Sequence, residues 1–304
     1  MSLPAISESH IRDLISLARR AGEAIMAIYT YRDSYGKSEL GIQEKADESP
    51  LTAADIAAHR LIVNELPSIL PLPIISEEGF VPEYEDRARW RTYWLVDPLD
   101  GTKEFIAGNG EFTVNIALIH HGHPCLGVVH VPVTDETYLG WLGAENDVLR
   151  GAWKYRLGAN PQRLKVRSLT ESLAQHRPFT ALLSHRHATQ ATMEVMAGIA
   201  KRWPGEIETS SAGSSLKFCV IAEGAADFYP RLAPTSEWDT AAAQAVLEAA
   251  GGCVVKVPEP KEHELTPLLY NANPDVINPH FYALGDSHFD WLGLFNIRAA
   301  EKEN

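Results

Sequence analysis

The segment Trp94-Leu95-Val96-Asp97-Pro98-Leu99-Asp100-Gly101-Thr102 joins an apolar run to two carboxylates three residues apart. The pattern predicts an apolar strand that ends at Asp97. Pro98 cannot continue a ladder, and Gly101 permits a sharp turn. Asp97 and Asp100 then point into one cavity at the strand end. Paired carboxylates at a turn suit hard, oxygen-binding cations such as Mg²⁺, and the Leu99 carbonyl, exposed by the turn, is a further candidate ligand. Gly101 and Thr102 open the next helix, whose N-terminal amides favour a phosphate. A turn capped by an aspartate accounts for the same spacing without a metal, and D-x-x-D alone is common. More acids fall at similar places. Glu77 and Glu78 follow the apolar Ile74-Ile75. Asp239 sits in the opening turn of a late helix, where the helix dipole alone would accept it. Asp55 closes a Thr52-x-x-Asp capping box. Asp55, Glu77, Asp97, Asp100 and Asp239 together are more acids than capping requires.

The elements that must position them follow from periodicity. Ile11, Leu14, Ile15, Ala18, Ala21, Gly22, Ile25 and Met26 recur at helical steps, and a second helix is expected over 52–66, ended by Pro67. Strands are expected over 73–76, 93–96, 112–119, 125–131 and 137–141, the third and fourth forming a hairpin. The second half predicts strands near 181–184, 227–229 and 253–255 and helices near 189–199, 214–223 and 238–250, with Gly251-Gly252 stopping the last. The glycine-containing stretch 146–162 is the best boundary, dividing the chain into 1–155, which carries most of the acids, and 156–304, which brings Asp239. The last twenty or so residues read as a fraying tail.

Composition narrows the chemistry. The chain has 304 residues, 45% hydrophobic and 22% charged, with a net charge of −13, which is a globular balance. Acidity on this scale disfavours nucleic acid as a partner, and an anionic substrate would need local cations. No apolar run is long enough for a membrane span. The three cysteines are sparse and read as buried free thiols. The N-terminus lacks a basic segment followed by an apolar core, so a cytoplasmic location is expected, with association at the inner membrane face left open. His120, His121 and His123 fall in the hairpin turn without a nearby cysteine or carboxylate, and are set aside as a metal site. No dinucleotide fingerprint, Walker loop or nucleophile elbow is present.

The motifs together resemble the inositol monophosphatase superfamily of metal-dependent, lithium-sensitive phosphatases, whose signature W-x-x-D-P-[IL]-D-G-T is Trp94 to Thr102. The chain is most similar to the 3′(2′),5′-bisphosphate nucleotidase branch. The similarity runs through Ser49 to Asp55, Ser76 to Glu78, Asp100 to Ile106, Asn109 to Ile119, Gly213 to Cys219, Ala222 to Gly224, Tyr229 to Arg231 and Trp238 to Ala242. It implies an α/β fold, a layered αβαβα sandwich of two subdomains with the cleft between them. It implies Glu77, Asp97, Asp100 and the Leu99 carbonyl at one Mg²⁺, and Asp97, Asp100 and Asp239 at a second. A third, weaker ion would lie near the attacking water, with Glu77 helping to hold it. Thr102, paired with Asp55, would take that water's proton, and the Gly101 and Thr102 amides would hold the phosphoryl group.

Ser214, Lys217 and Arg231 would face the nucleotide, and His187 its base; without the resemblance, Lys217 and Arg231 read as solvated surface charges. The expected reaction removes the 3′-phosphate of adenosine 3′,5′-bisphosphate, giving AMP. The 5′-phosphosulfate relative is a second substrate, and sulfate assimilation is the context. The rivals are an inositol or sugar monophosphatase and a non-catalytic phosphonucleotide sensor. A monophosphate needs no second clamp, and a sensor needs no metal ligands. The expected partner is a small bisphosphonucleotide, and the chain is expected as a monomer or homodimer. Two features depart from the pattern: Ala243 stands where related sequences often have glycine, and the chain extends beyond about Gly285 with Trp291 and Phe295.

Overall fold

Ile11, Leu14, Ala18, Ala21 and Ile25 are all buried on one stripe of helix α1, Glu8–Tyr29. Ala54, Ala58, Ile62 and Leu66 form the matching stripe of α2, Ala53–Ile69. The structure, a computed structural model, describes residues 3–30, 43–44, 50–183, 189–259 and 262–295. Pro67 does not end α2, contrary to the sequence expectation. It lies in the final turn, where the ring removes one N–H, and Leu70 N still donates to Leu66 O at 3.0 Å.

Strands β1 (Gln43–Glu44) and β2 (Pro50–Leu51) form a small antiparallel pair ahead of α2. The larger sheet runs in chain order: β3 (Ile74–Ser76), β4 (Thr92–Asp100), β5 (Thr113–His120), β6 (His123–Val131), β7 (Glu136–Trp141), β8 (Gly151–Arg156) and β9 (Gln162–Leu164). Only its β3–β4 pair is parallel. The second sheet has the order β11-β10-β12-β14-β13, from β10 (Phe179–Leu183), β11 (Ile207–Ser211), β12 (Phe228–Arg231), β13 (Cys253–Lys256) and β14 (Phe281–Leu284). The stretch that reads as a boundary thus contains β8, and the change from one sheet to the other falls between Leu164 and Phe179.

The remaining helices are α3 (Tyr84–Arg87), α4 (Thr102–Ala107), α5 (Leu169–Ala174), α6 (Gln190–Ala200), α7 (Leu216–Ala222), α8 (Ala241–Ala249) and α9 (Trp291–Phe295). Side chains alternate across β4: Trp94 and Val96 pack with α1 and α2, while Tyr93 and Leu95 pack with α7, α8 and the second sheet. The far face of the second sheet packs Phe179, Phe228 and Tyr282 against α5, α6 and α9. The result is five layers, α-β-α-β-α, as expected. Part of the tail expected to fray forms α9, because Trp291 is buried against Phe179, Phe228 and Phe295 and its indole N–H donates to Asp286 O at 2.6 Å; the rest of it, 296–304, lies outside the described residues. Ala243 is fully buried in α8. Among the described residues no helix is long and apolar enough to cross a membrane.

α8 lies between the sheets with no side chain at its closest approach. A methyl group added at Gly127 of β6 would stand 2.0 Å from Ala242 O, and one at Gly140 of β7 would stand 2.4 Å from Ala245 O. Glycine is therefore what lets helix backbone rest on strand backbone here. The 3₁₀ turn Glu237–Asp239 leads directly into this helix.

Candidate active site

An unbulged strand would turn Asp97 and Asp100 to opposite faces, since side chains alternate with period two. β4 avoids this with a bulge: Asp97 pairs with Asn115 and Asp100 with Thr113, three residues against two. Pro98 and Leu99 fall inside the bulge, so the missing proline N–H costs no ladder bond. The strand does not end at Asp97, as the sequence suggests, but continues to Asp100. Carboxylate oxygens of Asp97, Asp100 and Asp239 come within 4.8 Å of one another. Asp97 is 1% exposed and accepts from Leu99 N at 3.0 Å. Asp239 accepts from Ser236 N at 2.9 Å. Glu77, just beyond β3, shares a side-chain hydrogen bond with Asp97, and its charge acts on Asp55, Asp100 and Asp239 as well.

Burial and mutual repulsion push Asp97 and Asp239 well above the carboxylate range. Burial also raises Asp100, to about 6, although the Ser215 amide, Lys217 and Asn115 pull it down. Carboxylates this close cannot all ionise unless a cation joins them. A set of hard oxygen donors under this strain fits a divalent ion such as Mg²⁺.

Thr102 opens α4 and Asp55 opens α2, and the two helix starts meet. Thr102 Oγ1 donates to Asp55 Oδ1 at 3.1 Å, with Leu99 O at 3.3 Å as its other acceptor. Asp55, 1% exposed, also accepts from Thr52 N at 2.8 Å and from the Thr52 hydroxyl. Burial raises its pKa and these hydrogen bonds oppose the rise. Gly101 has φ of 95°, which favours glycine, and a methyl there would strike Ser214 Oγ at 2.3 Å.

A cavity of about 140 Å³ adjoins the acids, lined among others by Ser214, Lys217, Tyr229 and Arg231. Lys217 is 4% exposed, so it is no solvated surface charge. Its Nζ donates to Ser214 O at 3.1 Å and lies 5.1 Å from the centre of the Tyr229 ring. Burial lowers it to about 8, with Asp100 opposing, so it stays cationic at neutral pH. Arg231 donates to Ala233 O at 3.1 Å and Pro234 O at 2.9 Å. Ser214 directs its hydroxyl at Asp100 O (3.0 Å) and Glu111 O (2.9 Å), bracing the turn after β4. His187 lies outside the described residues.

Sequence reasoning passed over the support behind Asp100. Ser215 N donates to Asp100 Oδ2 at 2.7 Å, Asn115 Nδ2 lies 3.4 Å from the same oxygen, and the hydroxyls of Thr113 and Ser215 pair at 2.8 Å. The available signal was two polar residues, Thr113 and Asn115, at alternate positions of an otherwise apolar strand. Of the set-aside histidines, His121 is exposed in the β5–β6 turn and His123 is exposed at the start of β6, whereas His120 ends β5 half-buried, its Nδ1 2.8 Å from Thr92 Oγ1.

The profile of the inositol monophosphatase family matches residues 8–286, ending before α9. The 3′(2′),5′-bisphosphate nucleotidase CysQ of Escherichia coli K12 is 45% identical over 266 residues, 87% of this chain and 95% of that one. The protein of the same name from Haemophilus influenzae is 31% identical over 294 residues, 96% of this chain and 98% of its own. Among solved structures, CysQ of Bacteroides thetaiotaomicron, described as a bacterial member of the inositol monophosphatase family, superposes with a TM-score of 0.71. It is 40% identical, over 88% of this chain and 94% of that one. A Thermotoga maritima IMPase at 22% identity, covering 95% and 97% with a TM-score of 0.64, shares the fold.

Proposed function

The chain belongs to the inositol monophosphatase family, and from that premise we propose that it is a 3′(2′),5′-bisphosphate nucleotidase that removes the 3′-phosphate of adenosine 3′,5′-bisphosphate, giving AMP and phosphate. The convergence of Asp97, Asp100 and Asp239 beside a cavity that holds a buried lysine carries this reading. Two Mg²⁺ ions fit the donors, Glu77, Asp97, Asp100 and the Leu99 carbonyl for one, Asp97, Asp100 and Asp239 for the other, with a third and weaker ion on the Glu77 side. Bound there, the ions would neutralise charge on the phosphoryl oxygens and on the attacking and leaving oxygens.

The chain's own groups do the rest. Thr102 gives its hydrogen to Asp55 and so keeps oxygen lone pairs free for a hydrogen of the attacking water. Asp55, whose burial raises its pKa, is suited to accept the proton passed on. The amides of Gly101 and Thr102 hold the phosphoryl group as the water oxygen bonds to phosphorus and the bond to the 3′-oxygen breaks, that oxygen taking up a proton from solvent water while the attacking water's proton passes to Asp55. Lys217 and Arg231 clamp the phosphate that is not cleaved, Ser214 shapes the turn beneath it, and His187 contacts the base. The 5′-phosphosulfate analogue is the second substrate of this reading, its context is sulfate assimilation in the cytoplasm, and its partner is a small nucleotide.

Phosphate release with Mg²⁺ tests the reading. Adenosine 3′,5′-bisphosphate should be strongly preferred over inositol 1-phosphate, and lithium should inhibit. Lys217→Ala should raise KM for the bisphosphate by about tenfold or more and change turnover of a monophosphate far less. A preference for the inositol ester would keep the metal site and remove the clamp.

A further inference from the structure

Asp239 reaches the acids of β4 from a turn only three residues long, so something must fix that turn. Its own neighbour Glu237 is buried and takes no part in the donor cluster. Instead both Glu237 carboxylate oxygens accept from Asn271 N, at 2.8 and 3.0 Å. Asn271 has φ of 54°, a left-handed conformation that asparagine tolerates better than most residues. Its side chain is held in turn by Arg87, which is 1% exposed. Arg87 Nη1 donates to Asn271 Oδ1, Asn271 Nδ2 donates to Arg87 O at 2.6 Å, and Arg87 Nη2 donates to Asn273 O at 3.2 Å and to Pro274 O. The same strap continues past the turn: Glu237 N donates to Val276 O at 2.8 Å, and Asn278 Nδ2 to Ser236 O at 2.8 Å.

Arg87 closes α3, in the segment that follows Glu77. The guanidinium therefore ties the segment after one proposed ligand to the turn that carries another. We propose that Arg87, Asn271 and Glu237 are positioning residues that set the approach of Asp239 to Asp97 and Asp100, and so set the affinity of the divalent ion Asp239 holds. None of the three belongs to the cluster itself. The inference rests on the metal site proposed above and adds to it the group of residues that tunes it.

Mn²⁺ binding, read directly by electron paramagnetic resonance and calorimetry on the full chain, tests the proposal. A wild-type chain that binds no Mn²⁺ would overturn the metal reading itself, and this inference with it. Given wild-type binding, Asn271→Gly removes the side chain while tolerating the backbone conformation and keeping the amide to Glu237. It should weaken the ion at Asp239 by about tenfold, with the metal-free protein still unfolding cooperatively. On an Asp239→Asn background the same substitution should change Mn²⁺ affinity no further, because its route to the ion is already cut. Arg87→Lys, which keeps the charge and loses the fork, should repeat both results and serves if Asn271→Gly does not fold. Unchanged affinity in a folded variant, or an undiminished loss on the Asp239→Asn background, would overturn the proposal and leave the strap a purely structural one.

Discussion

A carboxylate that is 1% exposed and feels three other acids, as Asp97 does, is held against a cost that only a proton or a cation can offset. The residue proposed to hold both ions is then one the metal-free fold would do better without. Asp97→Asn should cut turnover by roughly a thousandfold or more. Without metal, its melting temperature near pH 8 should match or exceed that of the wild type, as calorimetry would show. At this scale the acids were legible because each sits at a strand end or helix start, where a carboxylate in an apolar run stands out. Arg87, Asn271 and Glu237 were not. They lie far apart in the chain, none interrupts a periodic pattern, and each taken alone reads as a surface polar residue. Ser214 was legible as part of the site, but that its hydroxyl braces two main-chain carbonyls could be seen only once both strands were in place.

Between residue and molecule, the site depends on two element-level devices. The β4 bulge turns both aspartates to one side, and the glycine contacts of β6 and β7 seat α8 so that the turn before it delivers Asp239. Gly127→Ala forces a methyl into the Ala242 carbonyl. Overpacking of this kind should destabilise the protein by about 3 kcal/mol, measured by urea unfolding. The Mg²⁺ concentration needed for half-maximal activity should rise as well, since α8 cannot move without its leading turn. Long amphipathic helices and the β5–β6 hairpin were legible because their signals are local. The bulge was not, because a register shift exists only relative to a partner strand. The short β8 was missed in a glycine-containing stretch that reads as a boundary, β9 begins only at the last residue of that stretch, and α9 was read as a tail because five residues give too little periodicity to recognise.

For the molecule as a whole, burial sets opposing responses to acid. Burial raises Asp55, Asp97, Asp100 and Asp239, so without metal they bind protons more readily folded than unfolded and acidification favours their burial. His130, under α1 in the large sheet and paired with Thr137 Oγ1 at 2.9 Å, does the reverse. Burial lowers it to about 4 from an ordinary value near 6.5. The unfolded chain takes up that proton first, so this contribution to stability is complete above about pH 6.5 and is lost as the pH falls toward 4. Between pH 7.5 and 5 the loss should be about 2 kcal/mol. The difference in unfolding free energy between the wild type and His130→Gln, followed across that range, should show it. The layered plan was legible from the order of strands and helices together with the resemblance, whereas the change of sheet between Leu164 and Phe179 carries no break in composition that marks it. Asp97 and Asp100 belong to the first half of the chain and Asp239 to the second, and the helix that seats Asp239 lies between the two sheets. A chain still emerging from the ribosome therefore carries only part of the acid cluster. The cluster is complete only when the interlayer helix brings Asp239 in, so an ion that needs all three carboxylates is one the chain can hold only after its second half has been made.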